Sequence, residues 1–277
     1  KLTLISELLI NATPEEAKYI TRTLLDKLRV GIGSGSMRDA IIWAFFSDDL
    51  NIIYNKEKND IELSESDRAR YNEISEKVQY AYDLSNDFGK IALKLKDGGI
   101  KGLDDILLEV GKPINAMLFQ KAKDIQDAFS IVGKPAAFEY KYDGFRMQIH
   151  ISKGKVQIFT RRLEEVTEQF QEIVEVLSKN VNADSCILDA EAVGYDPNTK
   201  IYVPFQKISQ RIKRKYNISE MAEKFPVEIN IFDIIFYGGK ILINEPFRER
   251  RKILEKIVRE KKFSIVLAKQ IVTSDEK

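Results

Sequence analysis

The chain has 277 residues, and its 44 Lys and Arg residues nearly balance 43 Asp and Glu residues, for a formal net charge of +1. With 44% hydrophobic and 31% charged residues it has the composition of a folded protein, and at roughly 100–200 residues per domain the length predicts about two domains. A single cysteine, Cys186, and a single histidine, His150, exclude an intramolecular disulfide framework and a Cys/His zinc cluster. We expect both residues to be structural.

The first part of the chain has the apolar periodicity of helices. Thr13 followed by Pro14 predicts a helix that starts with proline in its first turn. The spacing of apolar residues predicts further helices at residues 38–46 and 65–84.

A glycine-rich segment from Val30 to Ser36 lies between the first two predicted helices. It lacks the Gly-Lys-Ser/Thr ending of a P-loop, and no strand pattern precedes it as a dinucleotide-binding turn would require. Two interpretations remain. The segment ends a helix, or its backbone amides hold a phosphate beside Arg22, Lys27 and Arg29.

Beyond residue 111 the apolar period changes from about 3.6 to about 2, which predicts one domain at 1–111 and a second at 112–277. The second domain has an α+β pattern with antiparallel strands. Strands are expected at 138–142, 145–151, 156–160, 187–193 and 227–236, and helices at 166–177 and 248–261. The turn signals at Asp143-Gly144 and at 152–154 predict that the first three strands form a meander.

Two basic clusters stand out against the balanced net charge. Residues 207–215, which include Arg211, hold five basic residues and no acidic one, and residues 248–262 hold eight basic and three acidic residues. Each cluster either faces the phosphates of a nucleic acid or is an ordinary solvated helix face.

The segment from Phe138 to Arg146 contains a candidate nucleophile. On a strand, Glu139 and Lys141 share one face, and we expect the core to take the opposite face with Phe138 and Tyr140. A lysine amine can attack the α-phosphorus of a nucleotide and form a phosphoramidate that stores the activated nucleotidyl group. The alternative is a strand-edge lysine beside an Asp-Gly hairpin.

The residues from Lys141 to Arg146, Lys-Tyr-Asp-Gly-Phe-Arg, resemble the KxDGxR signature of the covalent nucleotidyltransferases, which include DNA ligases, RNA ligases and mRNA-capping guanylyltransferases. Segments that resemble the family's next motifs follow in order at 159–162, 187–191 and 231–234. Five further segments narrow the resemblance to the ATP-dependent DNA ligases of archaea and eukaryotes: 27–33, 112–118, 139–144, 204–206 and 246–251.

The resemblance implies a fold and a set of site residues. The fold would be a partial, all-α DNA-binding domain at 1–111 and an α+β nucleotidyltransferase (adenylation) domain with antiparallel sheets at 112–277. The later motifs of the family and its OB-fold have no counterpart, so we expect a fragment with impaired activity. Nucleotide contacts implied by the resemblance are Lys141 as the adenylated nucleophile, Glu139 at the adenine edge, Arg146 and Arg161 at the ribose and phosphates, Glu191 at the ribose or a catalytic Mg²⁺, and Phe232 stacked on adenine. The candidate DNA contacts are Arg22, Lys27, Arg29, Gly31, Gly33 and Arg211.

The residue pattern bears on two of these assignments. It supports the role of Phe232, and it offers a second candidate ligand for Mg²⁺ beside Glu191. Alternation from Val227 places Phe232 on the face of Glu228 and Asn230, and an aromatic ring on a polar face is suited to stacking on a ligand. Asp189 lies two positions before Glu191 on the same strand face, so it is a second candidate to support a hydrated Mg²⁺.

The implied activity is the sealing of nicks in duplex DNA with ATP and Mg²⁺, through a lysyl-AMP on Lys141 and transfer of AMP to the 5′ phosphate. Such an enzyme would serve DNA replication, repair and recombination. The alternatives are an RNA ligase or capping guanylyltransferase, or a polypeptide that acts only as a DNA-binding module.

Nicked duplex DNA is the expected partner, and a sliding clamp would be a further one through regions that this chain does not contain. No run approaches the roughly 18 apolar residues of a membrane-spanning helix, and the first residues lack the order of a secretory signal. We therefore expect a protein that is not bound to a membrane. We also expect it to be a monomer in the cytoplasm of an archaeon, associated with the nucleoid.

Overall fold

The computed structural model describes residues 2–25, 31–58, 60–117, 119–213 and 216–276. Contacts divide the chain into two compact units, one made of residues 1–82 and 87–105 and the other of residues 83–86 and 106–277. The boundary that periodicity predicts, after residue 111, therefore lies a few residues inside the second unit. Hydrogen bonds of this stretch explain the difference, because the backbone amides of Gly111 and Ile114 donate to side chains of the second unit.

The first unit consists mainly of helices. They are α1 (Leu2–Ile10), α2 (Pro14–Leu24), α3 (Ser34–Phe46), α4 (Glu65–Ser85) and α5 (Phe88–Gly98), followed by a 3₁₀ helix at Gly99–Asp105. The predicted start of α2 is confirmed. The Thr13 hydroxyl accepts the amide of Glu16, and the Glu16 carboxylate accepts the amide of Thr13, which together form a capping box.

The prediction that this part is all-α is wrong in one detail. A two-stranded antiparallel hairpin, β1 (Ile53–Asn55) and β2 (Asp60–Glu62), stands between α3 and α4. The Asn55 side chain accepts the amides of Glu57 and Lys58 and so stabilises the turn. This local side-chain contact has no apolar signature in the sequence.

The second unit combines helices and strands. Its helices are α6 (Ile125–Val132), α7 (Gln171–Asn180), α8 (Phe205–Lys213), α9 (Ile218–Lys224) and α10 (Phe247–Ile257). Its strands are β3 (Ala136–Glu139), β4 (Phe145–Ser152), β5 (Lys155–Thr160), β6 (Ser185–Gly194), β7 (Val227–Tyr237), β8 (Lys240–Ile241), β9 (Ile265–Leu267) and β10 (Gln270–Thr273).

Six of these strands form the central sheet, in the order β5-β4-β6-β7-β8, with β9 parallel to β7. Alternate residues of the central strands are fully buried on one face, and the members on β4, β6 and β7 include Met147, Ile149, Leu188, Ala190, Ile229 and Ile231. Residues of α7 and α10 belong to the same core. The sheet therefore has one apolar face and leaves the other to polar side chains.

The predicted meander is confirmed only in its second turn. Strands β4 and β5 pair directly, and Lys153 and Gly154 both have the positive φ that a tight hairpin turn needs. Strand β3 instead pairs with β10 in a separate two-stranded sheet. The Asp143-Gly144 segment is thus a crossing between two sheets and not a hairpin turn.

The expectation that the core takes the face of Phe138 and Tyr140 is also wrong. Tyr140 is 69% exposed and Phe138 is 39% exposed. Because β3 belongs to a small two-stranded sheet and ends at Glu139, the central core covers neither ring.

Candidate active site

The polar face of the central sheet carries two rows of side chains, each with one residue from β4, β6 and β7. The rows are Arg146, Glu191 and Asn230, and next to it Gln148, Asp189 and Asp233. Cross-strand neighbours on one face lie about 5 Å apart, so these six side chains form one surface. The sequence predicted the individual strands, and the pairing register creates the rows.

Arg146 and Asp189 form an ion pair across β4 and β6. The Nη2 atom of Arg146 donates to Oδ2 of Asp189 at 2.5 Å, and both side chains are largely buried. Burial raises the pKa of Asp189, and the guanidinium of Arg146 opposes that rise. Within the described part of the chain, Nε of Arg146 and Oδ1 of Asp189 have no hydrogen-bond partner. Asp189 thus holds Arg146 in place and is poorly suited to bind a metal ion.

Glu191 lies among several charged side chains. Burial raises its pKa to about 7; the positive charges of Lys141, Arg146 and Arg161 oppose the rise, and the carboxylate of Asp143 adds to it. The structure therefore brings three of the predicted nucleotide contacts near one carboxyl group. Once it has lost its proton, a half-buried carboxyl surrounded by cations is suited to accept a hydrogen bond from a ligand hydroxyl or to bind a divalent cation.

Lys141 is exposed in the irregular segment that joins β3 to β4. Three residues further on, Gly144 lies so close to β6 that a Cβ atom there would be 2.3 Å from the carbonyl oxygen of Ala192 and 3.0 Å from Cγ of Glu191. Only glycine allows this approach, which brings the segment with Lys141 against β6 and Glu191. The sequence predicted Lys141 inside a strand, whereas β3 ends at Glu139.

Glu139 lies at the end of β3, opposite Gln270 of β10. Loss of hydration raises the pKa of Glu139; Arg251 opposes the rise and Asp233 adds to it. The charge of Glu139 therefore interacts with those of Asp233 on β7 and Arg251 on α10. Phe232 is the residue directly before Asp233 on β7.

Arg161 is exposed just after β5 and borders a small cavity with Arg146, Ile114 and Ala116. The Ile114 segment is tied to β4 by Gln148, whose Oε1 accepts the Ile114 amide at 2.9 Å and whose Nε2 donates to the Ile114 carbonyl. Sequence reasoning missed Gln148, because a glutamine in an alternating strand has no distinctive signal. Gln148 therefore holds the wall of the cavity that Arg146 and Arg161 border.

The single histidine and the single cysteine have structural roles, as expected. His150 is buried beside Gln148, its Nδ1 accepts the Gly111 amide at 2.8 Å, and burial lowers its pKa to about 4. Cys186 is buried in the core, which raises the pKa of its thiol to about 12. Neither group is positioned to act as a nucleophile or base.

The predicted Mg²⁺ ligand can be judged by its donors. Among the described residues no group of three or more His, Cys, Asp or Glu side chains could hold a metal ion by itself. Glu191 nevertheless suits Mg²⁺, which is commonly bound by one or two carboxylates together with substrate phosphates. Its raised pKa reflects the cost of burying a negative charge, and a bound divalent cation would offset that charge. A site completed by phosphate oxygens therefore fits this face.

The predicted DNA contacts of the first unit are only partly described. Arg22, in the last turn of α2, lies over the ring of Tyr19 with 5.6 Å between its Cζ and the ring centroid. Gly31 has a φ of +79°, and Gly33 is the N-cap of α3, with open space around both. The glycine-rich segment thus leads into a helix start. Lys27 and Arg29 lie outside the described residues.

Arg211 does not suit the DNA contact that the sequence predicted. Its side chain is 1% exposed, and its guanidinium donates to the carboxylate of Glu172 and to the carbonyls of Phe225 and Gln169. The cation also lies over the ring of Phe170. These contacts use Arg211 to join α7 and α8 inside the unit, and no phosphate could reach it without breaking them.

An ion pair between Asp233 and Arg250 was not predicted. Nε and Nη2 of Arg250 donate to the two carboxylate oxygens of Asp233 at 2.7 and 2.9 Å. The residues lie 17 positions apart, on β7 and α10, and nothing local in the sequence indicates their contact.

Comparison with known proteins agrees with these motifs. A family model described as the ATP dependent DNA ligase domain matches residues 116–277, and one described as the DNA ligase N terminus matches residues 1–42. A protein named DNA ligase from Nanoarchaeum equitans is 44% identical over 277 residues, which cover 100% of this chain and 44% of that protein. A protein of the same name from Thermococcus fumicolans is 40% identical over 273 residues, covering 99% of this chain and 44% of that protein.

Among solved structures, the ligase domain of LigD from M. tuberculosis superposes with a TM-score of 0.34 and 26% identity, over 48% of this chain and 39% of that one. That superposition is too loose to support a correspondence between residues. The chain spans less than half the length of the two archaeal relatives. No described helix is long and apolar enough to cross a membrane.

Proposed function

The chain belongs to the family of ATP-dependent DNA ligases, and we propose that its second unit activates ATP by forming a covalent adenylate on Lys141. The observation that carries this proposal is the arrangement around Glu191, where Lys141, Arg146 and Arg161 all influence one half-buried carboxyl. A nucleophile and two cations around one carboxylate, one of them held by Asp189, match what attack on a phosphate needs.

In the proposed first step, Nζ of Lys141 attacks the α-phosphorus of ATP. The N–P bond forms, the bond from that phosphorus to the bridging oxygen of pyrophosphate breaks, and the amine loses its proton to solvent. Arg146 and Arg161 stabilise the charge that develops on the phosphate oxygens, and Asp189 keeps Arg146 in position. Mg²⁺, when bound beside Glu191, supplies further positive charge to those oxygens.

Adenine would be recognised at the edge between the two sheets. Glu139 contacts the polar edge of the base, and Phe232 stacks on its face. Support comes from the charge of Asp233, the residue next to Phe232, which raises the pKa of Glu139. In the later steps AMP passes to the 5′ phosphate of a nick, and the 3′ hydroxyl then displaces AMP.

The first unit would bind the nicked duplex. Arg22, Gly31 and Gly33 are the proposed contacts among the described residues, and Lys27 and Arg29 extend the set. Backbone amides at the start of α3 would face a phosphate, and Arg22 adds positive charge nearby. The protein would act as a monomer in the cytoplasm, associated with the nucleoid, with a sliding clamp as a further partner through other regions.

Mass spectrometry of the intact protein tests the first step. After incubation with ATP and Mg²⁺ the wild type should gain the mass of one AMP, and Lys141→Ala should not. Lys155→Ala is the matched control, because Lys155 is an exposed lysine on the neighbouring strand β5 and should leave the adduct unchanged. Absence of an adduct in the wild type, or an adduct that survives Lys141→Ala, would contradict the proposal.

A further inference from the structure

Strand β7 contains an extra residue at Phe232. In its pairing with β6, Ala190 lies opposite Ile231, whereas the adjacent Asp189 lies opposite Asp233. Ile231 and Ile234 both belong to the core although they are three positions apart, which regular alternation does not allow. A β-bulge at Phe232 explains both facts and turns Phe232 and Asp233 together onto the polar face.

A bulge interrupts the hydrogen-bond ladder, so other contacts must set the direction of its side chains. Arg250 makes such contacts. Its guanidinium binds both oxygens of Asp233 at 2.7 and 2.9 Å and also donates to the backbone carbonyl of Glu245. Asp233 Oδ1 in turn accepts the amide of Ile234, the next residue. The residue after Phe232 is therefore fixed to α10 by a two-pronged ion pair.

The pair is shielded from water, because the side chains of Arg250 and Asp233 are only 13% and 20% exposed. Asp233 also faces Asp189 across the strands, so the two carboxylates would repel each other if neither were neutralised. Arg146 neutralises Asp189, and Arg250 neutralises Asp233. Arg250 therefore keeps Asp233 from competing for the arginine that the nucleotide needs.

We propose that Asp233 and Arg250 are positioning residues that hold the β7 bulge and thereby aim the ring of Phe232 at the adenine base. The proposal rests on the proposed function, in which Phe232 stacks on adenine. Neither positioning residue touches the nucleotide; their effect reaches it through Phe232.

A double-mutant cycle tests whether Arg250 affects ATP binding through Phe232. We would measure the affinity for ATP without Mg²⁺, in which the covalent step is suppressed, for the wild type, Phe232→Ala, Arg250→Met and the double variant. Phe232→Ala should weaken binding about tenfold, as expected for loss of one stacked base. Arg250→Met should weaken it about fivefold in the wild type and less than about twofold in Phe232→Ala, because the ring it positions is gone.

Two controls separate positioning from general damage. Inorganic tripolyphosphate, which has no base, should bind all variants equally. Lys256→Met, which removes an exposed charge from the same helix, should bind ATP like the wild type. Asp233→Asn keeps the size of the side chain and provides a second variant should Arg250→Met unfold; it should reproduce the selective loss of ATP affinity.

The outcomes are distinct. Additive losses in the cycle, equal losses for ATP and tripolyphosphate, or unchanged ATP binding by both Arg250→Met and Asp233→Asn would overturn the positioning role while leaving the proposed function intact. A wild type that does not bind ATP would overturn the proposed function and, with it, this inference.

Discussion

Arg146 and Asp189 hold each other on the polar face of the central sheet, joined at 2.5 Å across β4 and β6. Each keeps a further buried polar atom without a partner in the described structure. An ion pair in this setting stabilises little by itself but is costly to break from one side. It therefore serves to fix the direction of the arginine that the nucleotide site requires.

Removing both partners of that pair should cost less stability than the two single removals added together. Asp189→Ala leaves the guanidinium of Arg146 buried without its carboxylate and should lower the free energy of unfolding by about 3 kcal/mol. The double variant Asp189→Ala/Arg146→Met should lose less than the sum of the single variants. Urea unfolding followed by circular dichroism measures all three, and strict additivity would contradict the coupling.

Gly144→Ala should disturb the site directly, since its Cβ would clash with the carbonyl oxygen of Ala192. We expect a loss of roughly 1–3 kcal/mol in stability, as for other overpacked positions. The AMP adduct should also disappear, because the Lys141 segment is pushed away from β6. Gly35→Ala is the matched control: it lies in α3 with open space around it and should be neutral or stabilising.

The raised pKa of Glu191 predicts a dependence of stability on pH. The folded carboxyl titrates at about 7 and the unfolded one near 4.5, so between these values the folded state binds more protons and stability falls as pH rises. Glu191→Gln removes this titration. Relative to the wild type, it should gain on the order of 1 kcal/mol between pH 5 and pH 8, measured from melting curves at both pH values. If the difference in stability between Glu191→Gln and the wild type is the same at pH 5 and pH 8, the carboxyl of Glu191 does not have the raised pKa of a buried group.

His150 predicts the opposite trend on the acid side. Its pKa is lowered from 6.5 to about 4 in the folded state, so the unfolded chain binds more protons in that window. Stability that is present above pH 6.5 is therefore lost as pH falls toward 4. Because the chain has one histidine, its ring protons give a single NMR titration. A midpoint near 6.5 instead of about 4 would show that the ring is not buried.

Arg211 and Arg22 should respond differently to substitution by methionine. Arg211→Met removes a buried guanidinium with its hydrogen bonds to two backbone carbonyls and to the partly exposed carboxylate of Glu172, and it should cost about 3 kcal/mol in stability without changing the salt dependence of DNA binding. Arg22→Met should leave stability nearly unchanged and reduce the slope of log affinity against log salt by about 1, as expected for one phosphate contact. Binding to a nicked duplex at several salt concentrations checks both, and a reduced slope in Arg211→Met would restore Arg211 as a DNA contact.

Several elements of this protein are determined locally and could be predicted from the sequence. Strands β4, β5, β6 and β7 all appear where alternation predicts them, because side chains of a strand point to opposite faces with a fixed period. Helix α4 spans Glu65–Ser85, almost the predicted range, because its apolar spacing follows the helical period. The turn at Lys153-Gly154 is likewise local, since it depends only on backbone conformation.

The tertiary structure decided what depends on residues distant in the chain. Strand β3 pairs with β10 and not with β4, the bulge at Phe232 shifts the register of β7, and Arg250 reaches Asp233 from another element. Arg211 lies in a basic cluster that reads as a solvated surface, yet it is buried by contacts with other elements. Pairing register, burial and charge neutralisation are properties of the folded neighbourhood, so local pattern predicts which residue types are available but not which of them meet.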